Sequence, residues 1–134
     1  MVLVLQSCEF KLKPFDITEG EHQRVEVSRY DRLESQYLTT SDFSALQQMN
    51  TDYPMETRTL IEDVLKLGEV DDPEINRKFL TFYQDSVLQT LISDAESKYA
   101  NIDDINASLN AAFDNLKKLL PGIVVPTVYM QIGA

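Results

Sequence analysis

Residues 71–99 have the sequence DDPEINRKFLTFYQDSVLQTLISDAESKY, and this stretch predicts the class of the fold. Its apolar side chains recur every three or four residues, which is the spacing of one face of an α-helix. Asp72 is suited to cap such a helix, Pro73 to its first position, and Glu74 to the first turn. Asp85 interrupts the apolar face and is expected to cap a second helix or to mark a kink. The stretch therefore predicts helices with one apolar face each.

The same helical spacing continues on both sides of this stretch. Upstream, residues 39–50 (TTSDFSALQQMN) predict a helix with Ser41 as its N-cap, and Pro54 suits the first turn of a helix that ends near Gly68. Downstream, residues 101–122 (NIDDINASLNAAFDNLKKLLPG) predict a last helix with aspartates at its start and lysines near its end, as the helix dipole favours. We predict a mainly α fold, a bundle of about five helices.

The two ends of the chain have extended rather than helical patterns. Residues 1–23 contain a proline and a glycine and predict an N-terminal arm. Val25 and Val27 alternate with polar residues, which predicts a short strand or a tether into a helix from Asp31 to Tyr37. With 134 residues, the chain has the length of one domain, so we assign residues 24–134 to a single helical domain.

The last stretch, PGIVVPTVYMQIGA (121–134), predicts a β-strand from Ile123 to Ile132 at the end of the helical domain. An apolar strand without neighbours is prone to association. We therefore predict that this strand pairs with another protein or with a second copy of the chain, which would then be a dimer or a larger assembly. The candidate pairing residues are Val124, Val125, Val128 and Met130.

The charge of the chain argues against some partners. It carries 22 acidic and 12 basic side chains, for a net charge of −10. A field of this sign repels phosphate backbones, so we predict no binding to nucleic acid.

The residue types needed for common catalytic sites are scarce. His22 is the only histidine and Cys8 the only cysteine, so neither a two-histidine metal site nor an internal disulfide can form. Neither DDPE nor NIDD has the ligand spacing of a calcium loop, and no glycine-rich phosphate loop is present. Asp85 could act as a functional acid, although a helix cap is the more common role. We predict no catalytic residue, no metal site, no cofactor and no enzymatic activity for this chain.

Leu5-Gln6-Ser7-Cys8 has the form of a bacterial lipobox, in which a small residue precedes a cysteine that becomes lipidated. The alternative is a short N-terminal strand with an incidental thiol. The apolar stretch before Cys8 is too short to span a bilayer. If Cys8 is lipidated, the chain would meet the membrane through that anchor alone.

Five segments in order carry a family resemblance: VEVSRYDRLESQYL, LQQMNTDYP, VLKLGEVDDPEI, FLTFYQDSVLQTL and LNAAFDNLKKLLPGIVVPTVYMQIG. Their order and spacing resemble the amino-terminal half of the gliding-motility lipoprotein GldB family of Bacteroidetes, from about Arg24 to Gly133. The resemblance implies a lipid-anchored or periplasmic protein of the cell envelope whose partners are other envelope proteins.

The same resemblance implies a longer parent protein. Family members generally continue into a second half, related to predicted zinc-dependent proteases with an HExxH helix, and that half is absent here. We therefore expect that the chain is cut from a larger protein. Two functions follow as hypotheses: a non-catalytic helical domain that acts through protein–protein contacts, or the front half of a zinc peptidase-like enzyme.

Overall fold

The computed structural model describes residues 24–133 and confirms the mainly α fold. The N-terminal arm with Cys8 and His22 lies outside the described residues, so the division between residues 23 and 24 stays a prediction. Within the described part, six α-helices and one π-helical turn follow one another: α1 Tyr30–Thr40, α2 Phe43–Asp52, α3 Pro54–Arg58, the π-helical turn Thr59–Val64, α4 Ile75–Phe82, α5 Ser86–Lys98 and α6 Asp103–Leu119.

The N-cap of α2 is Asp42, and the prediction of Ser41 was wrong by one residue. The Asp42 carboxylate accepts a hydrogen bond from the Ser44 N–H at 2.8 Å. Because α1 continues to Thr40, Ser41 ends that helix instead, in the left-handed conformation with φ of +56°. A serine can serve either helix end, and the length of α1 decides which one.

The helix that begins at Pro54 ends earlier than Gly68, through a π-helical turn. In this turn the Leu65 N–H donates to the Leu60 carbonyl, five residues back, at 2.9 Å. The wider turn lets the adjacent residues Leu60 and Ile61 both be buried. Lys66 then takes a positive φ of 54° and ends the helical path.

The predicted start of α4 was also too early. Asp72 does accept a hydrogen bond from the Glu74 N–H at 2.8 Å, but the regular helix begins only at Ile75. By contrast, the prediction that Asp85 caps a helix is confirmed. Its carboxylate accepts from the N–H groups of Val87 and Leu88 at the start of α5, at 2.8 and 3.4 Å.

Replacing this cap by Asp85→Ala is expected to lower the free energy of unfolding by about 1 kcal/mol, since two N–H groups lose their acceptor. Asp94→Ala is the matched control, because Asp94 is exposed further along α5 and should change stability by less than about 0.5 kcal/mol. Urea unfolding of both variants measures the difference. Equal losses would contradict the capping role.

Aromatic residues form the centre of the core. Tyr30, Tyr37, Phe79 and Tyr83 are fully buried, and the Phe79 ring lies 5.9 Å from Tyr37 and 5.6 Å from Tyr83 between centroids. Ile75, Phe79 and Tyr83 therefore confirm the apolar face that the spacing in α4 predicts. Helices α1, α2, α4 and α5 and the π-helical turn supply buried residues around this centre.

Helix α6 stands apart from that core, because none of its residues is fully buried. Of its predicted apolar face, only Ile102 just before the helix is buried, whereas Leu109 and Phe113 are half-buried and Leu120 is exposed. No helix in the described residues is both long and apolar enough to cross a membrane.

The C-terminal β-strand predicted from Ile123 to Ile132 does not form. The segment is extended, and it pairs in parallel with the chain before α1 through a single bridge between Ser28 and Tyr129. The reason is the short length of the partner. On one side of the bridge the chain enters α1 at Tyr30, and on the other side the backbone groups of Val25 and Val27 are bonded to side chains of α6, so the ladder does not continue.

Candidate functional site

The C-terminal segment is fixed to the start of α1 through its main chain. The Ser28 N–H donates to the Val128 carbonyl at 2.8 Å, and the Met130 N–H donates to the Ser28 carbonyl at 3.0 Å. The Asp31 N–H, in the first turn of α1, donates to the Met130 carbonyl at 2.8 Å. These three bonds hold one edge of the segment, which we call the inner edge.

Two buried side chains continue this inner edge at Ile132. The Glu34 carboxylate accepts from the Ile132 N–H at 2.7 Å, and the Tyr83 hydroxyl donates to the Ile132 carbonyl at 3.0 Å. Both side chains are fully buried, and Ile132 itself is buried. We call Ser28, Asp31, Glu34 and Tyr83 together the cradle, because they bind the backbone of an extended segment.

Glu34 is the most unusual group of the cradle. Its pKa is raised to about 8, mainly by burial and also by the charge of Asp31, against the lowering effect of the hydrogen bond from Ile132. Its second oxygen, Oε1, and the adjacent Ser35 hydroxyl have no hydrogen-bond partner in the described part of the chain. A neutral carboxyl suits this site better than a carboxylate, because an unpaired buried charge is costly.

The other polar groups near the cradle are engaged in structural contacts. Arg29 forms two hydrogen bonds to Asp31, at 2.9 and 2.7 Å. The Tyr30 hydroxyl donates to Thr57 at 3.0 Å, and the Thr57 hydroxyl donates to the Met49 carbonyl at 2.8 Å. Burial raises the pKa of both Tyr30 and Tyr83, so the two phenols stay neutral. These contacts fix the cradle in place.

The four predicted pairing residues divide into two pairs. Val128 and Met130 lie against the cradle and are half-buried. Val124 is 82% exposed and Val125 half-buried, and their backbone groups make no contact with the cradle in the described residues. Of the predicted pairing residues, only Val128 and Met130 are therefore bonded to the cradle of the same chain.

The opposite edge of the segment is open. Successive residues of an extended chain direct their backbone groups to alternate sides, so Tyr129 and Gln131 face away from the cradle. Neither residue's N–H or C=O forms a backbone–backbone hydrogen bond in the described part of the chain. Both side chains are exposed, and the Tyr129 ring lies 5.8 Å from Tyr53 between centroids. We call the backbone groups of Tyr129 and Gln131 the outer edge.

A second extended segment, residues 24–28, is bound by side chains of α6. Asn110 accepts from the Val25 N–H and donates to the Val25 carbonyl, both at 2.8 Å, and Asn106 accepts from the Val27 N–H at 3.0 Å. We call Asn106 and Asn110 the asparagine clamps. They border a polar cavity of about 650 Å³, and their bonds to Val25 and Val27 give them a structural role.

The cradle also borders an apolar cleft of about 430 Å³. Leu91 and Ala95 of α5 line it, together with Tyr99 at the end of that helix and residues 130–133. Within residues 24–133, no group of three or more histidine, cysteine, aspartate or glutamate side chains is arranged to hold a metal ion. The polar groups of this region are suited to bind main-chain N–H and C=O groups: the cradle does so on the inner edge, and the outer edge has such groups of its own.

Sequence reasoning missed Glu34 and Tyr83 as site residues, although one signal was present. Glu34 lies four residues after Tyr30 and three before Tyr37, so it falls on the buried face of α1. A carboxylate at an apolar position of a helix usually has a specific partner. That spacing identifies Glu34, but it does not identify Ile132 as the partner.

Comparison with known proteins gives the family. The sequence profile of the gliding motility protein GldB family matches residues 13–134, which is nearly the whole chain. No curated protein and no solved structure gives a significant match. The family's profile is designated as that of a lipoprotein, which indicates a location in the cell envelope. The resemblance seen in the sequence is confirmed, and the chain belongs to the gliding motility protein GldB family.

Proposed function

We propose that this gliding-motility envelope protein is a non-catalytic interaction domain that binds another envelope protein through its outer edge. The observation that carries the proposal is the asymmetry of the C-terminal segment. Its inner edge is bonded to the cradle by five hydrogen bonds, whereas the exposed residues Tyr129 and Gln131 form no backbone–backbone hydrogen bond in the described part of the chain. An edge of this kind binds an extended peptide by strand addition.

The fixed position of the edge supports this function. The cradle holds residues 128, 130 and 132, so the intervening residues keep the extended conformation that a partner strand needs. A preorganised edge spares the ordering cost that a flexible segment would add on binding. Tyr129 offers an aromatic contact beside the edge, and the net charge of −10 favours a partner with basic residues near its strand.

Gln131→Pro tests the outer edge, since proline removes one outward N–H and leaves the bonds of Met130 and Ile132 to the cradle in place. Gln131→Ala is the matched control, because it keeps that N–H. In the organism that encodes the chain, we expect Gln131→Pro to abolish colony spreading and Gln131→Ala to retain it, at equal protein levels in the envelope.

A photo-crosslinking residue placed at Tyr129 provides the binding readout. It should capture one defined envelope protein in the parent and in Gln131→Ala, and lose it in Gln131→Pro. Equal crosslinking and equal spreading of the two variants would overturn the proposal. The other hypothesis, the front half of a zinc peptidase-like enzyme, stays a prediction that an HExxH codon run downstream of Ala134 in the same reading frame would support.

We also propose that Cys8 carries the lipid that attaches the protein to the envelope membrane. The support is the lipobox-like sequence before Cys8 and the lipoprotein designation of the family. Expressed from its natural gene, Cys8→Ser is expected to lose incorporation of a labelled fatty acid and to leave the membrane fraction. Unchanged labelling of Cys8→Ser would contradict the anchor.

A further inference from the structure

The cradle recognises its segment almost entirely through main-chain atoms. All five hydrogen bonds go to N–H or C=O groups of Val128, Met130 and Ile132. Ile132 is the one residue of the segment 123–133 whose side chain is buried. Binding of this kind requires an extended chain with one apolar anchor. That chain can belong to the same molecule or to another one.

The connection between α6 and the bound segment adds little to its position. Residues 120–127 include Leu120 and the 82%-exposed Val124, and a side chain at Gly122 would meet nothing within 4 Å. Their backbone hydrogen bonds in the described structure run from the Leu120 N–H to the Leu116 carbonyl, at the end of α6, and from the Ile123 N–H to the Leu120 carbonyl, within the linker itself. Helix α6 has no buried residue. The segment is therefore fixed by the cradle, and not by its linker.

We propose that the cradle also accepts residues 128–132 of a second copy of this chain, so that two copies exchange their C-terminal segments. A second copy of the chain is the expected occupant, because its segment supplies the same five backbone groups and the same Ile132 anchor. Eight linker residues reach about 26 Å when extended, which is enough to cross to a neighbour. The exchange is mutual, so the dimer is closed and symmetric.

This inference is independent of the proposed function, since it uses the inner edge and leaves the outer edge open in both copies. Two features set the conditions for exchange. The net charge of −10 on each copy opposes association, so salt should increase the dimer fraction. Releasing the segment also breaks buried contacts of Glu34 and Tyr83, so monomer and dimer should interconvert slowly.

Deleting Val124 and Val125 tests the exchange. The shortened linker should strain the contact with the cradle of its own copy more than the contact with the cradle of a neighbour. We expect the dimer dissociation constant to fall by about tenfold or more, because the competing intramolecular contact is weakened. The matched control keeps the length and replaces the same residues, as Val124→Ser with Val125→Ser, and should keep the parent's dissociation constant. Light scattering over a concentration series measures both.

Mixed dimers of isotope-labelled and unlabelled chains identify the contact. Isotope-filtered NMR should show nuclear Overhauser effects between the Ile132 methyls of one copy and the Tyr83 ring of the other. A deletion variant that stays monomeric, folded or unfolded, would overturn the inference. A dimer in which these effects stay within one copy would also overturn it, and would instead indicate pairing through the outer edge.

Discussion

Raising the pH from about 5 to about 8 is expected to lower the free energy of unfolding by up to about 1.4 kcal/mol per pH unit. The cause is Glu34, whose burial against Ile132 raises its pKa to about 8, from an ordinary value of 4.5. Over this range the unfolded chain has already released the proton that the folded chain still holds. The stability that the protonated Glu34 contributes is therefore complete below about pH 4.5 and is lost as the pH rises through about 8.

The pH window separates Glu34 from the other buried titratable groups. Tyr30 and Tyr83 also have raised pKa values, but their ordinary value is 10.0, so they reduce stability only above that pH. Asp31, the nearest acid, is paired with Arg29. Unfolding in urea at a series of pH values below 9, compared with a variant that lacks this carboxyl, therefore isolates the effect of Glu34.

Glu34→Gln is the decisive variant, because it keeps an oxygen to accept from Ile132 and cannot ionise. Its free energy of unfolding should vary little between pH 5 and 8. The difference between its free energy of unfolding and that of the parent should therefore grow with pH in favour of the variant. Glu69→Gln is the matched control on an exposed residue and should keep the parent's slope. A parent whose stability does not fall over this range, or a Glu34→Gln variant that keeps its slope, would contradict the prediction.

Phe79→Ala is expected to cost about 3 to 5 kcal/mol of stability, the largest single-residue loss that we predict. Phe79 is fully buried and contacts the rings of both Tyr37 and Tyr83, so its removal leaves a cavity at the centre of the core. Tyr83 also holds Ile132, and the C-terminal segment should therefore loosen with it.

Phe43→Ala is the matched control for this loss, because the same side chain is removed from a position that is 70% exposed. It should change the free energy of unfolding by less than about 0.5 kcal/mol. Hydrogen exchange should become faster at residues 128–132 in Phe79→Ala and stay unchanged in Phe43→Ala. Similar losses for the two variants would show that Phe79 is not central to the core.

The parts of the fold that follow from short-range sequence signals were predictable. Asp85 as a cap, Pro54 at a helix start and the buried face of α4 all depend on residues within one or two helical turns. Where two local signals competed, the longer helix decided: α1 extends to Thr40, so Ser41 ended it and Asp42 became the next cap. The helix caps predicted at Ser41 and Asp72 were therefore misplaced by one and two residues.

The cradle could not be predicted in the same way, because it joins residues far apart in sequence. Ile132 meets Glu34 across 98 positions and Tyr83 across 49. The apolar alternation of residues 123–132 indicated an extended segment correctly. It did not indicate that the partner backbone enters α1 after Ser28 and is bonded to α6 before it, which limits the pairing to one bridge, or that side chains take over the bonding at Ile132.

The asparagine clamps determine how the domain would carry force. Asn106 and Asn110 bind two alternate residues of the segment that precedes α1, with three hydrogen bonds. Tension applied along that segment from its N-terminal side would load these bonds, and with them α6, before it reached the aromatic core. In a motile envelope, a helix without a fully buried residue would thus be the first to bear mechanical strain.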